Sequence, residues 1–285
     1  MPTTYVEVQI RADPPLEEEL AGVLSQLGFE GFWEDGPLLK CYIRSARWED
    51  RLLEEVGRVT RLVLHSSADN LPEISVRNVP VEDWNAQWES TLKPVRVTDR
   101  IIIAPSWHHV SPAPGGIVLT IDPKMSFGTG YHESTRLMIR LVEETVRPGV
   151  QFLDVGTGTG VLAIAAARLG AGHALGIDID EWSYENAREN IHLNGVEHLV
   201  TVQRCSIANA PLTEFDVVAA NIQRSVIEAA LPEMLRRLAP SGALLLAGLL
   251  MEDRDPMFAA LRQNGLTPTH EICENEWIAL AAHRE

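Results

Sequence analysis

The sequence predicts an α/β protein: a doubly wound, seven-stranded and mostly parallel sheet, preceded by a small ferredoxin-like α+β sandwich. Three observations carry this expectation. From about residue 132 onward, short apolar runs alternate with amphipathic stretches of helical period, the pattern of a parallel sheet covered on both faces. A glycine-rich turn, DVGTGTG at residues 154–160, joins one of these runs to a helix. The first eighty residues read instead as strand, helix, strand, strand, helix, strand, which is the ferredoxin-like order.

Taken in order, YVEVQI has apolar residues at alternate positions and predicts the first strand. PPLEEELAGVLSQLGF follows, with Leu16, Leu20, Val23, Leu24 and Leu27 on one helical face and prolines marking its start. FEGFWEDGPLLKCYIR predicts a hairpin around Asp35-Gly36. The stretch from Trp48 to Leu64, apolar at Leu52, Leu53, Val56 and Val59, predicts a second helix, and EISVRNVP a fourth strand. These elements define a domain at residues 1–79. VEDWNAQWESTLKP predicts a connecting helix with Trp84 and Trp88 on one face, within a linker at residues 80–95.

The remainder, residues 96–285, opens with the strands IIIAPSW and GGIVLTID and the loop DPKMSFGTGYHEST. The strands of the large sheet are QFLDVG, HALGIDI, VTVQRC, FDVVAAN and GALLLAGL. Helices fall near 133–146, 159–169, 181–194, 223–238 and 255–264, and THEICENE with WIALAAHR forms a closing hairpin.

Composition narrows the partners. The 285 residues include 40 acids and 24 bases, a net charge of −16, and residues 1–90 alone hold 17 acids and 8 bases. Such a surplus disfavours direct nucleic-acid binding. An acidic front end either steers a basic protein toward the site or simply keeps the chain dissolved. No apolar stretch is long enough to span a bilayer, and the N-terminus lacks a basic segment followed by an apolar core, so the expected location is cytoplasmic, with no membrane partner. Cys41, Cys205 and Cys273 are scattered and share no metal-ligand spacing, so no metal is expected.

Ligands of open α/β sheets bind at the carboxyl ends of the strands, near the switch in strand order. DVGTGTG falls there. Its glycines let the backbone approach a ligand and adopt positive φ. A dinucleotide fingerprint requires G-x-G-x-x-G, and here Val161 occupies the position of the third glycine. Asp154, directly before the turn, would repel a pyrophosphate and suit a cation. S-adenosylmethionine carries a sulfonium, an ammonium and a carboxylate, and no phosphate. Gly156 and Gly158 are therefore candidate contacts to this cofactor, with Asp154 beside them.

Asp178 in GIDID lies twenty-two residues past Gly156, at the end of the next strand, where a carboxylate accepts two hydrogen bonds from ribose hydroxyls. Asp180 is assigned to capping the helix EWSYENARENI. Asn221, at the end of FDVVAAN, offers a donor and an acceptor to the same crevice and is the candidate catalytic residue; its alternative role is that of a turn asparagine before a helix. A nicotinamide-dependent dehydrogenase shares this fold and Asp178, but Val161 and Asp154 count against it.

DVGTGTG, GIDID and FDVVAANI together resemble class I S-adenosylmethionine-dependent methyltransferases. The loop DPKMSFGTGYHESTR is similar to the signature of the bacterial methyltransferases that modify large-subunit ribosomal protein L11, as are DWNAQWESTLKPVRV, IIIAPSW and the Glu276-Trp277 pair. The resemblance covers the chain from about residue 80 onward. It implies a small N-terminal domain that docks the substrate protein and cofactor contacts at Thr135, Gly156, Asp178 and Asn221, with Phe127, Gly128 and Thr129 in the loop above. His132 is either a proton acceptor or a packing residue. The Ile222-Gln223-Arg224 that follows Asn221 departs from the Asn-Pro-Pro-aromatic motif of many amino-group methyltransferases, which speaks against adenine or glutamine amide as acceptor. The expected activity is transfer of methyl groups from S-adenosylmethionine to lysine side chains, and to the N-terminal amine, of protein L11. The alternatives are a methyltransferase of the same fold acting on another protein or on RNA, and a binding or sensor protein without turnover.

Overall fold

The computed structural model describes residues 4–11, 16–35, 38–64, 73–80, 92–122 and 132–284. The chain divides into two compact units, Met1–Thr91 and Leu92–Glu285.

In the first unit, β1 (Thr4–Arg11), α1 (Leu16–Gln26), β2 (Gly31–Asp35), β3 (Leu38–Arg44), α2 (Asp50–Val63) and β4 (Ile74–Pro80) follow one another. The strands lie in the order β2-β3-β1-β4, and every neighbouring pair is antiparallel, which is the ferredoxin-like arrangement. Strand alternation explains its core. Val6, Val8 and Ile10 of β1 and Leu39, Cys41 and Ile43 of β3 point to one side, where they bury Leu20 and Leu24 of α1 and Val56, Val59 and Val63 of α2. Leu53, expected on the inner face of α2, is 39% exposed, because the buried face follows Val56, Val59 and Val63.

On the opposite face of this sheet, Glu7 accepts hydrogen bonds from Arg77 Nε (2.7 Å) and Tyr42 Oη (2.8 Å). Burial pulls the Glu7 carboxyl upward, and the hydrogen bonds from Arg77, Gln9 and Tyr42 outweigh it and hold the group below its usual range.

The second unit begins with a small sheet of β5 (Val95–Arg96), β6 (Ile101–Ala104) and β7 (Ile117–Thr120). Then come α3 (Glu133–Thr145), β8 (Gln151–Val155), α4 (Val161–Arg168), β9 (His173–Asp178), α5 (Glu181–Leu193), β10 (Val200–Arg204), β11 (Phe215–Asn221), α6 (Arg224–Leu235), β12 (Leu238–Leu250), α7 (Arg254–Gln263), β13 (Leu266–Glu274) and β14 (Trp277–Arg284). The large sheet runs β10-β9-β8-β11-β12-β14-β13. Its first five strands are parallel; β14 is antiparallel to both β12 and β13, so the closing hairpin forms one edge.

Neighbouring residues of the central strands feed opposite cores. Phe152, Val217, Ala219 and Leu245 belong to one core, and Leu153, Val155, Val218, Ala220, Leu244 and Leu246 to the other. This explains why the strands read as continuous apolar runs rather than alternating ones. Strand β12 begins at Leu238, where the sequence predicts the end of a helix, because Leu238 pairs beside Phe215 and draws the segment into the sheet. Strand order reverses between β8 and β11, which lie side by side although two strands and two helices separate them in sequence. Their carboxyl ends define the crevice.

Candidate cofactor and methyl-transfer site

Strand β8 delivers Asp154 and then the turn. Gly156, Gly158 and Gly160 have φ of 74°, 53° and 81°, all in the left-handed region. Gly156 has a second reason to lack a side chain: a Cβ there would lie 2.6 Å from Ile222 Cγ2, the residue that follows Asn221. The turn is held from the neighbouring strand, since Gly156 and Thr157 both donate to the Ile177 carbonyl, at 2.9 and 3.0 Å. Gly176 is part of the same arrangement, because a Cβ on it would meet Thr157 Oγ1 at 2.7 Å. Helix α4 starts at Val161, which is buried in the core, so the third position of the dinucleotide fingerprint is spent on packing.

The turn is tied directly to Asp178. Gly158 N donates to Asp178 Oδ2 at 3.0 Å, and Asp180 N donates to Oδ1 at 3.0 Å. These bonds fix the carboxylate at the strand end while each oxygen keeps a further lone pair for a diol. Asp180 caps α5, accepting from Ser183 N at 2.8 Å, as its position in the sequence predicts.

Asp154 is placed differently from the sequence expectation. The sequence reading puts its carboxylate against the ligand, whereas the side chain is 0% exposed and lies under the turn, accepting from Thr157 Oγ1 at 2.6 Å. Strand alternation and the fold-back of Thr157 turn it inward. Its other oxygen is buried beneath the turn, on the side of the Ala163 backbone. Burial pushes the carboxyl up to about 7; the hydrogen bonds from Thr157 and the Ala163 backbone oppose the shift and the nearby Asp178 charge adds to it. The native state therefore binds this proton more tightly than the unfolded chain, whose value is near 3.8. The stability this confers is complete below that lower value and is lost as pH rises through about 7. Urea unfolding between pH 5 and 8 is expected to show wild-type stability falling relative to Asp154→Asn, by at most about 1.4 kcal/mol per pH unit.

Asn221, at the end of β11, donates through Nδ2 to Thr135 Oγ1 at 3.3 Å, so two residues 86 positions apart meet at the crevice. Thr135 sits in the first turn of α3, only 2% exposed. His132 is the N-cap of α3: its Nδ1 accepts from Ser134 N at 3.2 Å and lies 2.8 Å from Ser134 Oγ. Its ring stacks edge-on against Trp277, with centroids 4.4 Å apart. The nitrogen that would accept a proton is thus engaged in capping, and of the two roles expected for His132 the geometry fits packing and capping. Phe127, Gly128 and Thr129 lie outside the described residues.

Gly156, Gly158, Asp178, Thr135 and Asn221 therefore gather at one end of the sheet. Thr157, Gly176 and Ile222 escape the sequence reading, because each matters only through a neighbour on another element. The fit to a nucleoside without phosphate rests on a left-handed cradle that a side chain would fill and a fixed strand-end carboxylate. Among the described residues, no cluster of His, Cys, Asp and Glu has the arrangement of a metal site.

A sequence model of the family described as ribosomal protein L11 methyltransferase (PrmA) matches residues 4–285. The chain is 36% identical over 280 residues to the ribosomal protein L11 methyltransferase of Chlorobaculum tepidum, covering 96% of this chain and 95% of that one. It is 41% identical over 210 residues to the enzyme of that name from Desulforapulum autotrophicum, covering 73% and 69%. The crystal structure of ribosomal protein L11 methylase from Lactobacillus delbrueckii subsp. bulgaricus superimposes with a TM-score of 0.64 at 28% identity, covering 68% of this chain and all of that one. The fold, the turn and the crevice at the strand switch thus coincide with a match along nearly the whole chain: it belongs to the ribosomal protein L11 methyltransferase family.

Proposed function

We propose that this protein transfers methyl groups from S-adenosylmethionine to lysine side chains, and to the N-terminal amine, of large-subunit ribosomal protein L11. The observation that carries the reading is the bond from Gly158 N to Asp178 Oδ2, which locks a left-handed glycine turn to a strand-end carboxylate. That unit suits a ribose diol beside a backbone with no side chain in the way.

S-adenosylmethionine supplies a methyl group already activated on a cationic sulfur. The chain's residues have to bind, orient and exclude water. Gly156 and Gly158 line the approach, Asp178 holds the ribose, and Asp154 gives the site negative character from below when ionised. Asn221, positioned by Thr135, orients the incoming amine through its side-chain oxygen. A lysine ammonium has no lone pair and an unperturbed pKa of about 10.4, so it sheds its proton before attack, a loss that desolvation in the crevice favours. With His132 engaged as a cap, that proton passes to solvent. The crevice at the ends of β8 and β11 would hold the neutral amine, oriented by Asn221, beside the methyl group that S-adenosylmethionine would supply.

Phe127, Gly128 and Thr129 complete the cofactor contacts in this reading. Residues 1–79 form the substrate-docking domain, 80–95 the linker and 96–285 the catalytic domain. The net charge of −16 favours a basic protein substrate over direct nucleic-acid binding. We place the enzyme in the cytoplasm, without a membrane partner; no described helix is long and apolar enough to cross a bilayer.

The test is incubation with radiolabelled S-adenosylmethionine and unmethylated L11, with ribosomal RNA and other ribosomal proteins as parallel substrates. Label on L11 lysines or its α-amine is the expected result. Label on RNA alone, or none, would refute the substrate assignment.

A further inference from the structure

Asn186, Asn190 and Asn194 recur at every fourth position of the segment ENARENIHLN, so α5 and its C-cap present three amides on one face. That face grips the chain leaving β7. Asn194 Oδ1 accepts from Thr120 N (3.0 Å) and its Nδ2 donates to Thr120 O (2.7 Å). One helical turn earlier, Asn190 Oδ1 accepts from Asp122 N (2.9 Å) and its Nδ2 donates to Asp122 O (3.2 Å). Asn186 Nδ2 also donates to Asp122 O, at 2.8 Å. Three side-chain amides thus do for Thr120 and Asp122 what a paired strand does for alternate residues of its neighbour.

Asn190 makes one contact that the other two lack. Its Nδ2 donates to Thr159 O at 2.9 Å, inside the glycine turn. The residue is 0% exposed, and Thr159 is equally buried. Beside it, Ala187 of the same helix packs so closely on the turn that a Cβ at Gly160 would lie 3.2 Å from its own Cβ. One amide group therefore joins the turn after β8 to Asp122, the residue directly before 123–131, the segment that contains Phe127, Gly128 and Thr129.

We propose that Asn190 is a positioning residue for methyl transfer: it sets the spacing between the cofactor turn and the root of residues 123–131. The proposal rests on the reading of Gly156–Gly160 as the cofactor turn. Asn186 assists at the root alone, and Asn194 braces β7 without reaching the turn. The three amides consequently have separable effects. Loss of Asn190 disturbs cofactor affinity and turnover most, loss of Asn186 disturbs both less because the turn contact stays, and loss of Asn194 costs stability only.

Asn194 provides a matched control, because it also makes three hydrogen bonds, the third being from Nδ2 to Asn190 O at 2.7 Å. The experiment measures S-adenosylhomocysteine binding by calorimetry, kcat with L11, and the urea midpoint for Asn190→Ala, Asn186→Ala and Asn194→Ala in the full chain. Asn190→Ala is expected to weaken S-adenosylhomocysteine about tenfold and to lower kcat as well. Asn194→Ala should lower the urea midpoint while leaving the dissociation constant and kcat within about twofold of wild type. Asn186→Ala, which loses the contact at the root alone, should weaken S-adenosylhomocysteine and lower kcat by less than Asn190→Ala but by more than Asn194→Ala, a ranking that keeps the test decisive if Asn190→Ala does not fold. Affinity and kcat that follow the stability loss alone across the variants would overturn the proposal. Wild-type protein that binds no S-adenosylhomocysteine would overturn the cofactor reading itself, a distinct result.

Discussion

Asn221→Ala is expected to lower kcat by about two orders of magnitude while leaving S-adenosylhomocysteine affinity within about tenfold. Its side chain stands at the carboxyl end of β11, beside β8 at the strand switch, and Thr135 fixes its orientation through the 3.3 Å bond from Nδ2. With Nδ2 directed at Thr135, the side-chain oxygen is the end that remains to orient an amine. Alanine removes that acceptor and leaves the turn and Asp178 untouched, so the loss falls on alignment rather than on cofactor binding. Thr135→Val, which leaves Asn221 in place but frees its rotamer, should cost about tenfold in kcat. Steady-state kinetics with L11 and calorimetry on the same preparations separate the two effects.

Gly156→Ala is expected to weaken cofactor binding at least about tenfold and to destabilise the second unit by about 1–3 kcal/mol. Two penalties combine: φ of 74° disfavours any side chain, and the new Cβ would press on Ile222 Cγ2 at 2.6 Å. Adding Ile222→Ala relieves the second penalty and leaves the first. The double variant should therefore recover part of the stability lost by Gly156→Ala alone, and calorimetry with urea titration of the three variants would show it. Because Ile222 adjoins Asn221, this contact also links the cofactor turn to the acceptor side of the crevice.

Both halves of the fold were legible because burial imprints itself locally. The two-sided cores of β8 and β11 make continuous apolar runs, the one-sided core of β1 makes an alternating one, and these periods can be read without a structure. The glycine turn, Asp178 and Asn221 were legible because strand ends in an open sheet share one edge. What escaped depends on how the turn folds back on itself and on partners distant in sequence. Asp154 lies at the strand end the spacing implies, but only the inward fold of Thr157 decides which side of the turn it occupies.

Arg237, fully buried, donates to the carbonyls of Ala210 (2.7 Å) and Pro211 (3.2 Å) and to Glu233 Oε2 (2.8 Å). Nothing in its own surroundings along the chain marks it as interior. The periodic asparagines of α5 are visible in the sequence, yet their meaning is not, because Thr120, Asp122 and Thr159 belong to other elements.

The most direct test of the cofactor assignment is calorimetric titration of the wild-type chain with S-adenosylhomocysteine and, separately, with NADH. A phosphate-free nucleoside on a turn whose third dinucleotide position is the packed Val161 predicts saturable one-to-one binding of S-adenosylhomocysteine, abolished or strongly weakened by Gly156→Ala, and no heat from NADH. Saturable binding of NADH with no response to S-adenosylhomocysteine would contradict it.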